Sequence, residues 1–253
     1  MSRQHIIQRY WRYLAIASAI PALIACGKRQ KTIDPATFAV GWVSDSTAHF
    51  RLFDPPQSPR VAQLRVLAQA CEEAYANLSK LLNLDVKEKI SIYRFITNQD
   101  CEAAIGHPAV YVEGYRIYTR IGSPVGGAIA VAAFTSIDPE APSFEMIKDG
   151  LREAFDGESD NIHGDAANLK NGGRWIPLSA LVNPSTVTDR DAYRLESASF
   201  VAYLIQTQGV DRFKMLWKSV LDLPSSLEKI YGGTLKEIED DWTAHLQREA
   251  KRT

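Results

Sequence analysis

The chain has 253 residues with 29 basic and 30 acidic side chains, a formal net charge of -1, and 45% hydrophobic residues. Its length and hydrophobic share suffice for one sizeable core, or for two lobes that share one. The near-zero charge argues against nucleic acid as a partner, because binding to phosphates requires a basic face.

The N-terminal segment has the three parts of a secretory signal. Three arginines among the first twelve residues precede an apolar run over residues 13–25, which ends in small residues. The run is shorter than the about 20 apolar residues that span a bilayer. It continues into Leu-Ile-Ala-Cys-Gly at residues 23–27, which resembles the bacterial lipobox. This resemblance implies a signal peptide over residues 1–25 and lipidation of Cys26; an ordinary signal peptide or a short anchor helix is the alternative.

The segment after the signal is polar. Residues 26–43 contain Lys, Gln, Thr and Pro, which suits a tether between the lipid and the fold. We therefore expect the protein in the cell envelope, outside the cytoplasm and attached to a membrane by its lipid anchor.

The cysteine count leaves two interpretations. If Cys26 is lipidated, Cys71 and Cys101 remain as an even pair in a compartment that permits disulfides. They form either a disulfide or two unpaired core thiols, since cysteine is common as a small buried side chain.

The first half of the folded part is predicted to mix strands with one long helix. Apolar residues recur at helical spacing over residues 61–82. Residues 126–134 are almost wholly apolar, which predicts either a central strand or a buried helix. Strands are predicted over residues 47–53, 89–96 and 114–121, and a short helix ends at residue 105.

The second half is predicted to be helical, with His163 in a loop and a further loop over residues 169–183. Ser143 is a candidate helix cap. Capping-box patterns begin at Ser225 and Thr234 and predict two more helix starts. The remaining predicted helices cover residues 143–155, 191–208 and 211–221.

Four stretches in this order resemble the peptidase MA-like family of gluzincin metallopeptidases. They are residues 49–53 with 73–78, residues 89–93 with 114–115, residues 146–155, and residues 193–204 with 235–242. The third stretch is similar to the family's Trp-Leu-x-Glu-Gly-Leu-Ala-x-Tyr segment. The resemblance covers about residues 44 to 247.

The resemblance implies a gluzincin-like α+β fold. Residues 44–140 would form a lobe with a mixed sheet and a long helix, and residues 141–253 would form a helical lobe. Both lobes would belong to one peptidase MA-like domain.

The motif that carries the family's chemistry is absent from the sequence. In His-Glu-x-x-His the two histidines bind zinc and the glutamate activates the metal-bound water. None of the five histidines is followed by Glu, and no two are four residues apart. Residues 128–136, where the motif would fall, offer no good zinc ligand, and Asp149 stands at the position of the third ligand. The departure implies a pseudo-enzyme that has lost its zinc.

Several side chains remain as weak candidates for a relocated site. Asp149, Glu153 and His163 would form a metal or acid–base site, although a loop of turn-forming residues is more typical of a solvated surface. The other side chains that the resemblance would place near the old cleft are Glu113, Tyr193 and Arg194.

Three functional hypotheses follow. The first is a membrane-anchored, non-catalytic domain that binds a peptide, a cell-wall fragment or another envelope protein. The second is a diverged zinc metallopeptidase or other hydrolase with a relocated site. The third is a structural envelope lipoprotein. The first rests on analogy between folds.

Overall fold

A computed structural model describes residues 33–138, 144–156 and 161–250. The strands are β1 (Val43–Ser46), β2 (Phe50–Asp54), β3 (Ile90–Phe95), β4 (Tyr111–Glu113) and β5 (Arg116–Arg120). The helices are α1 (Leu64–Leu82), α2 (Asn98–Ile105), α3 (Gly126–Thr135), α4 (Glu145–Asp156), α5 (Ile162–Asn171), α6 (Leu178–Leu181), α7 (Arg190–Tyr203), α8 (Val210–Trp217), α9 (Leu223–Tyr231) and α10 (Leu235–Glu249). The predicted signal peptide, Cys26 and Ser143 lie outside the described residues.

The five strands form one mixed sheet in the order β1-β2-β3-β5-β4. β2, β3 and β5 are parallel, so their carboxyl ends share one edge, and β1 and β4 run antiparallel at the two sides. Together with the helices, this sheet confirms the predicted α+β class.

Helix α1 covers one face of the sheet. Its buried side chains recur every three or four residues, so they share one side of the helix. They are Leu64, Ala68, Cys71, Tyr75, Leu78 and Leu82. The helix ends at Asn83, which adopts the left-handed conformation with φ 47°.

One apolar core runs through both predicted lobes. It contains Ile92 of the sheet, Phe134 of α3, Phe200 of α7 and Trp242 of α10. The described residues from Ala36 onward accordingly belong to one compact unit. The run at residues 126–134, for which the sequence left strand and helix open, is helix α3.

The fold begins earlier than the predicted tether allowed. Val43 starts β1, and the Phe38 ring lies 5.6 Å from Tyr93 and 5.5 Å from Phe95, between ring centroids. Trp42 lies 5.1 Å from the Phe95 ring. Both aromatic side chains are half-buried against the sheet, so residues 36–43 are part of the folded unit.

The disulfide considered from the sequence is not formed in the structure. Cys71 and Cys101 are both buried free thiols. Cys71 belongs to α1 and lies in the main core. Cys101 belongs to α2 and is buried outside that core, so the two side chains pack in different regions. Burial raises the pKa of each thiol to about 11, which disfavours the reactive thiolate.

Candidate functional site

Helix α3 occupies the position at which the family resemblance places the zinc-binding motif. All side chains from Ala128 to Phe134 are at most 4% exposed. Successive residues of a helix point around its whole circumference, so this burial means that neighbours surround α3 on every side. The segment is therefore a packed core helix and presents no open face.

Helix α4 packs between α3 and α7 at backbone distance. A Cβ atom added to Gly127 of α3 would lie 1.8 Å from the carbonyl oxygen of Arg152. A Cβ atom added to Gly150 would lie 2.4 Å from the carbonyl oxygen of Ser197 in α7. Glycine at these two positions is what allows the three helices to approach so closely.

Charged and polar side chains lie along the contact of α4 with α7. We call them the α4–α7 cluster: Asp149, Arg152, Glu153, Tyr193 and Arg194. Arg194 donates to both oxygens of Glu153, from Nε to Oε1 at 2.9 Å and from Nη2 to Oε2 at 2.8 Å. Arg152 Nη2 lies 3.3 Å from Asp149 Oδ1 and 3.4 Å from Glu153 Oε1. Tyr193 donates to Asp149 Oδ2 at 3.4 Å.

Burial determines the protonation of this cluster. It raises the pKa of Asp149, and the charge of Arg152 opposes that rise. It also raises the pKa of Tyr193, to which the Asp149 charge adds, so the phenol keeps the proton that it donates. Each carboxylate is already engaged by an arginine. Arg194 has the most exposed side chain of the cluster, 44% accessible.

The structure brings Asp149, Glu153, Tyr193 and Arg194 together, but His163 does not join them. His163 hydrogen-bonds to Ser199 and Gln206. Ser199 follows Tyr193 by six residues of α7, which is about 9 Å along the helix axis.

The predicted loop at His163 is wrong, because this residue lies in the first turn of α5. Asn161 caps that helix by accepting a hydrogen bond from the Gly164 N–H at 3.0 Å. The cap at Asn161 favours a helix that begins at Ile162, although the residues before it are typical of a turn.

His163 belongs to a buried hydrogen-bond chain. Trp242 donates from Nε1 to Ser199 Oγ at 3.2 Å, and that oxygen lies 3.0 Å from His163 Nδ1. His163 Nε2 lies 3.2 Å from Gln206 Oε1, which can only accept, so Nε2 carries the proton. Burial lowers the pKa of His163 and favours this neutral form. Its polar atoms are satisfied, which is typical of a structural histidine.

Glu113 lies at the edge of the sheet on β4. Its Oε2 accepts from the Tyr118 hydroxyl at 3.4 Å and lies 3.7 Å from Nη1 of Arg116. These neighbours belong to β5, so the structure gives Glu113 different partners from those of the α4–α7 cluster.

Sequence reasoning missed a buried ion pair at the carboxyl edge of the parallel strands. Arg94 Nη1 lies 3.3 Å from Asp54 Oδ1, and both side chains are at most 7% exposed. Ser58 donates to the other oxygen of Asp54 at 3.0 Å. Burial raises the pKa of Asp54 and lowers that of Arg94. Strand alternation was the available signal, because it places Arg94 on the same face as Ile90 and Ile92.

Among the described residues, no group of three His, Cys, Asp or Glu side chains is arranged to hold a metal ion. No helix in that part of the chain is long and apolar enough to cross a membrane. Comparison with models of known protein families finds no match. Comparison with curated proteins finds no match either.

Proposed function

We propose that the chain is an exported lipoprotein, anchored to a membrane through Cys26, whose gluzincin-like domain binds a ligand without cleaving it. The support for export and anchoring is the sequence: a basic start, a short apolar run, and Leu-Ile-Ala-Cys at residues 23–26. Its compartment is the cell envelope.

The observation that carries the non-catalytic role is the packing of α3. A zinc peptidase needs about three protein ligands around an open coordination position. At the place where the resemblance puts two of those ligands, α3 has only apolar side chains, and its Gly127 is in backbone contact with α4. Room for a metal there would require α3 and α4 to separate.

The α4–α7 cluster supports a binding role. Asp149 and Glu153 lie four residues apart and so share one side of α4, where arginines engage both. A peptide or a cell-wall fragment carries charged and amide groups. On binding, these groups would replace the arginine–carboxylate contacts within the cluster. An envelope protein with such groups on its surface is an equally suitable class of ligand.

Cys26→Ser is expected to release the protein from the membrane fraction, because serine at this position cannot carry the thioether-linked lipid. The measurement is fractionation of cells that express the wild type or the variant in the full chain. Cys71→Ser is the matched control, and it is expected to stay in the membrane fraction because its thiol is buried. Retention of the Cys26 variant at the wild-type level would favour a spanning anchor instead.

The protein purified with its folded part intact is expected to contain no stoichiometric zinc and to cleave no peptide library. Zinc lowers the pKa of its bound water to about 7, and no residue of the α4–α7 cluster replaces that effect. Elemental analysis and a peptidase assay, run beside a zinc-loaded gluzincin peptidase, measure this. One zinc per chain would contradict the proposal, and proteolysis that a chelator abolishes would contradict it more completely.

A further inference from the structure

Exposed or half-buried apolar side chains lie at the carboxyl edge of the sheet, next to the start of the fold. We call them the apolar edge patch: Val40, Trp42, Val43 and Ile96. Val40 is 81% exposed, Val43 39% and Ile96 36%. Val43 pairs with the last residue of β2, and Ile96 directly follows β3, so both lie at the same edge.

The patch is held in place by aromatic packing beneath it. The Trp42 ring lies 5.1 Å from Phe95 and 5.7 Å from Phe38, in edge-on arrangements. Phe38 in turn lies 5.6 Å from Tyr93 of β3. Trp42 is therefore held in place at this edge of the sheet by its ring contacts. Exposed apolar groups of this kind mark a contact surface when they cluster.

The position of the patch along the chain limits its distance from a lipid on Cys26. Ten residues separate Cys26 from Ala36, and even fully extended they span at most about 35 Å. A unit of about 215 residues has a radius of gyration near 17 Å, hence a diameter of about 45 Å. A lipid on Cys26 would therefore hold Ala36 within about 35 Å of the bilayer. This distance is shorter than the diameter of the unit, so the side opposite Ala36 could not face the membrane.

The charge of the intervening segment fits the same partner. Between Cys26 and Ile33 the chain has Lys28, Arg29 and Lys31 and no acidic residue. Basic residues beside a lipid anchor are attracted to anionic headgroups. Tryptophan is enriched at the membrane interface, where its ring is apolar and its N–H reaches water.

We propose that the apolar edge patch inserts into the interface of an anionic bilayer, so that the carboxyl edge of the sheet faces the membrane. This inference rests on the proposed lipid anchor at Cys26. It adds an orientation to that anchor: the domain would lie on the membrane with a fixed side, instead of moving freely at the end of its tether.

Quenching of tryptophan fluorescence tests the orientation. The mature lipidated protein is placed in vesicles of phosphatidylethanolamine and phosphatidylglycerol that contain brominated acyl chains, which quench only tryptophans at the membrane. Of the tryptophans that remain after signal cleavage, Trp217 and Trp242 are buried, and Trp175 packs on Trp242. We expect lipid-dependent quenching, and we expect Trp42→Phe to lose most of it.

A matched pair of valines provides the control. Val40→Asp places a charge in the patch and is expected to reduce the quenching, whereas Val220→Asp changes a valine that is equally exposed, 85%, after α8 and is expected to leave it unchanged. Mass spectrometry of the N-terminal peptide is read in the same samples. Lipid on Cys26 without quenching of Trp42 would overturn the orientation alone. An unmodified Cys26 would overturn the proposed anchor and the orientation with it.

Discussion

Gly127→Ala is expected to destabilise the protein by at least about 3 kcal/mol, at the upper end of what overpacking in a core costs. The new Cβ atom would lie 1.8 Å from the carbonyl oxygen of Arg152 and 2.5 Å from its carbonyl carbon. Both are backbone atoms of a helix, so they cannot rotate away as a side chain would. The adjacent Gly126 faces Phe155 in the same way, so α3 cannot shift along α4 to relieve the clash.

Urea denaturation of the two proteins measures this difference in the free energy of unfolding. Gly172→Ala is the matched control, because Gly172 has an ordinary negative φ of -81° and its nearest atom to an added Cβ is 3.2 Å away. Alanine there should change the stability by no more than about 1 kcal/mol. Equal stability of Gly127→Ala and the wild type would mean that α3 and α4 are farther apart than described, and would reopen the space that a metal needs.

The amphipathic elements were predictable because their side chains repeat with the period of their backbone. Helix α1 was recognisable from its buried stripe, and strand β2 from alternation. The capping box at Thr234 is confirmed, with Glu237 accepting from the Thr234 N–H. In each case, local geometry and burial favour the same structure.

Elements without a periodic sequence pattern were harder to predict. Helix α3 is apolar on every side, so its composition fits a buried strand as well as a buried helix. Only the packing of its neighbours distinguishes the two structures. The capping box expected at Ser225 is wrong, because α9 starts at Leu223 and Asp222 caps it by accepting from the Ser225 N–H. Two caps within three residues compete, and the sequence alone does not rank them.

The candidate site was predictable in part for the same reason. Asp149 and Glu153 share a side of one helix by spacing alone. The family resemblance placed Tyr193 and Arg194 near the old cleft, without naming their partners. His163 could not be assigned, because its partners Ser199 and Gln206 follow it by 36 and 43 residues. Contacts so distant in sequence depend on how α5 and α7 pack, which no local pattern encodes.

Glu196 was not noticed in the sequence, yet its burial predicts a large effect of pH on stability. It is fully buried on α7, and its carboxyl oxygens accept from the Ile176 N–H at 3.2 Å. Burial raises its pKa to about 8, the Ile176 hydrogen bond opposes the rise, and the charges of Asp189 and Glu239 add to it. The folded state therefore prefers the protonated acid.

The free energy of unfolding should consequently fall as the pH rises from about 4.5, the ordinary pKa, to about 8. Below pH 4.5 the folded and unfolded states both bind the proton, and the contribution of Glu196 to stability is fully present. Above about pH 8 that contribution is lost. At about 1.4 kcal/mol per pKa unit, the loss amounts to at most about 5 kcal/mol. The variant Glu196→Gln keeps an oxygen that accepts from the Ile176 N–H, and its amide group does not ionise.

We therefore expect Glu196→Gln to match the wild type within about 1 kcal/mol at pH 5 and to exceed it by several kcal/mol at pH 8. Urea denaturation at both pH values measures the two differences, and Glu73→Gln, an exposed glutamate on α1, is the control that should show no such divergence. Parallel stability curves for the wild type and Glu196→Gln would show that the carboxyl group is ionised in the folded protein. Water or a cation would then have to reach Glu196, because an ionised carboxylate is not stable in a sealed apolar core.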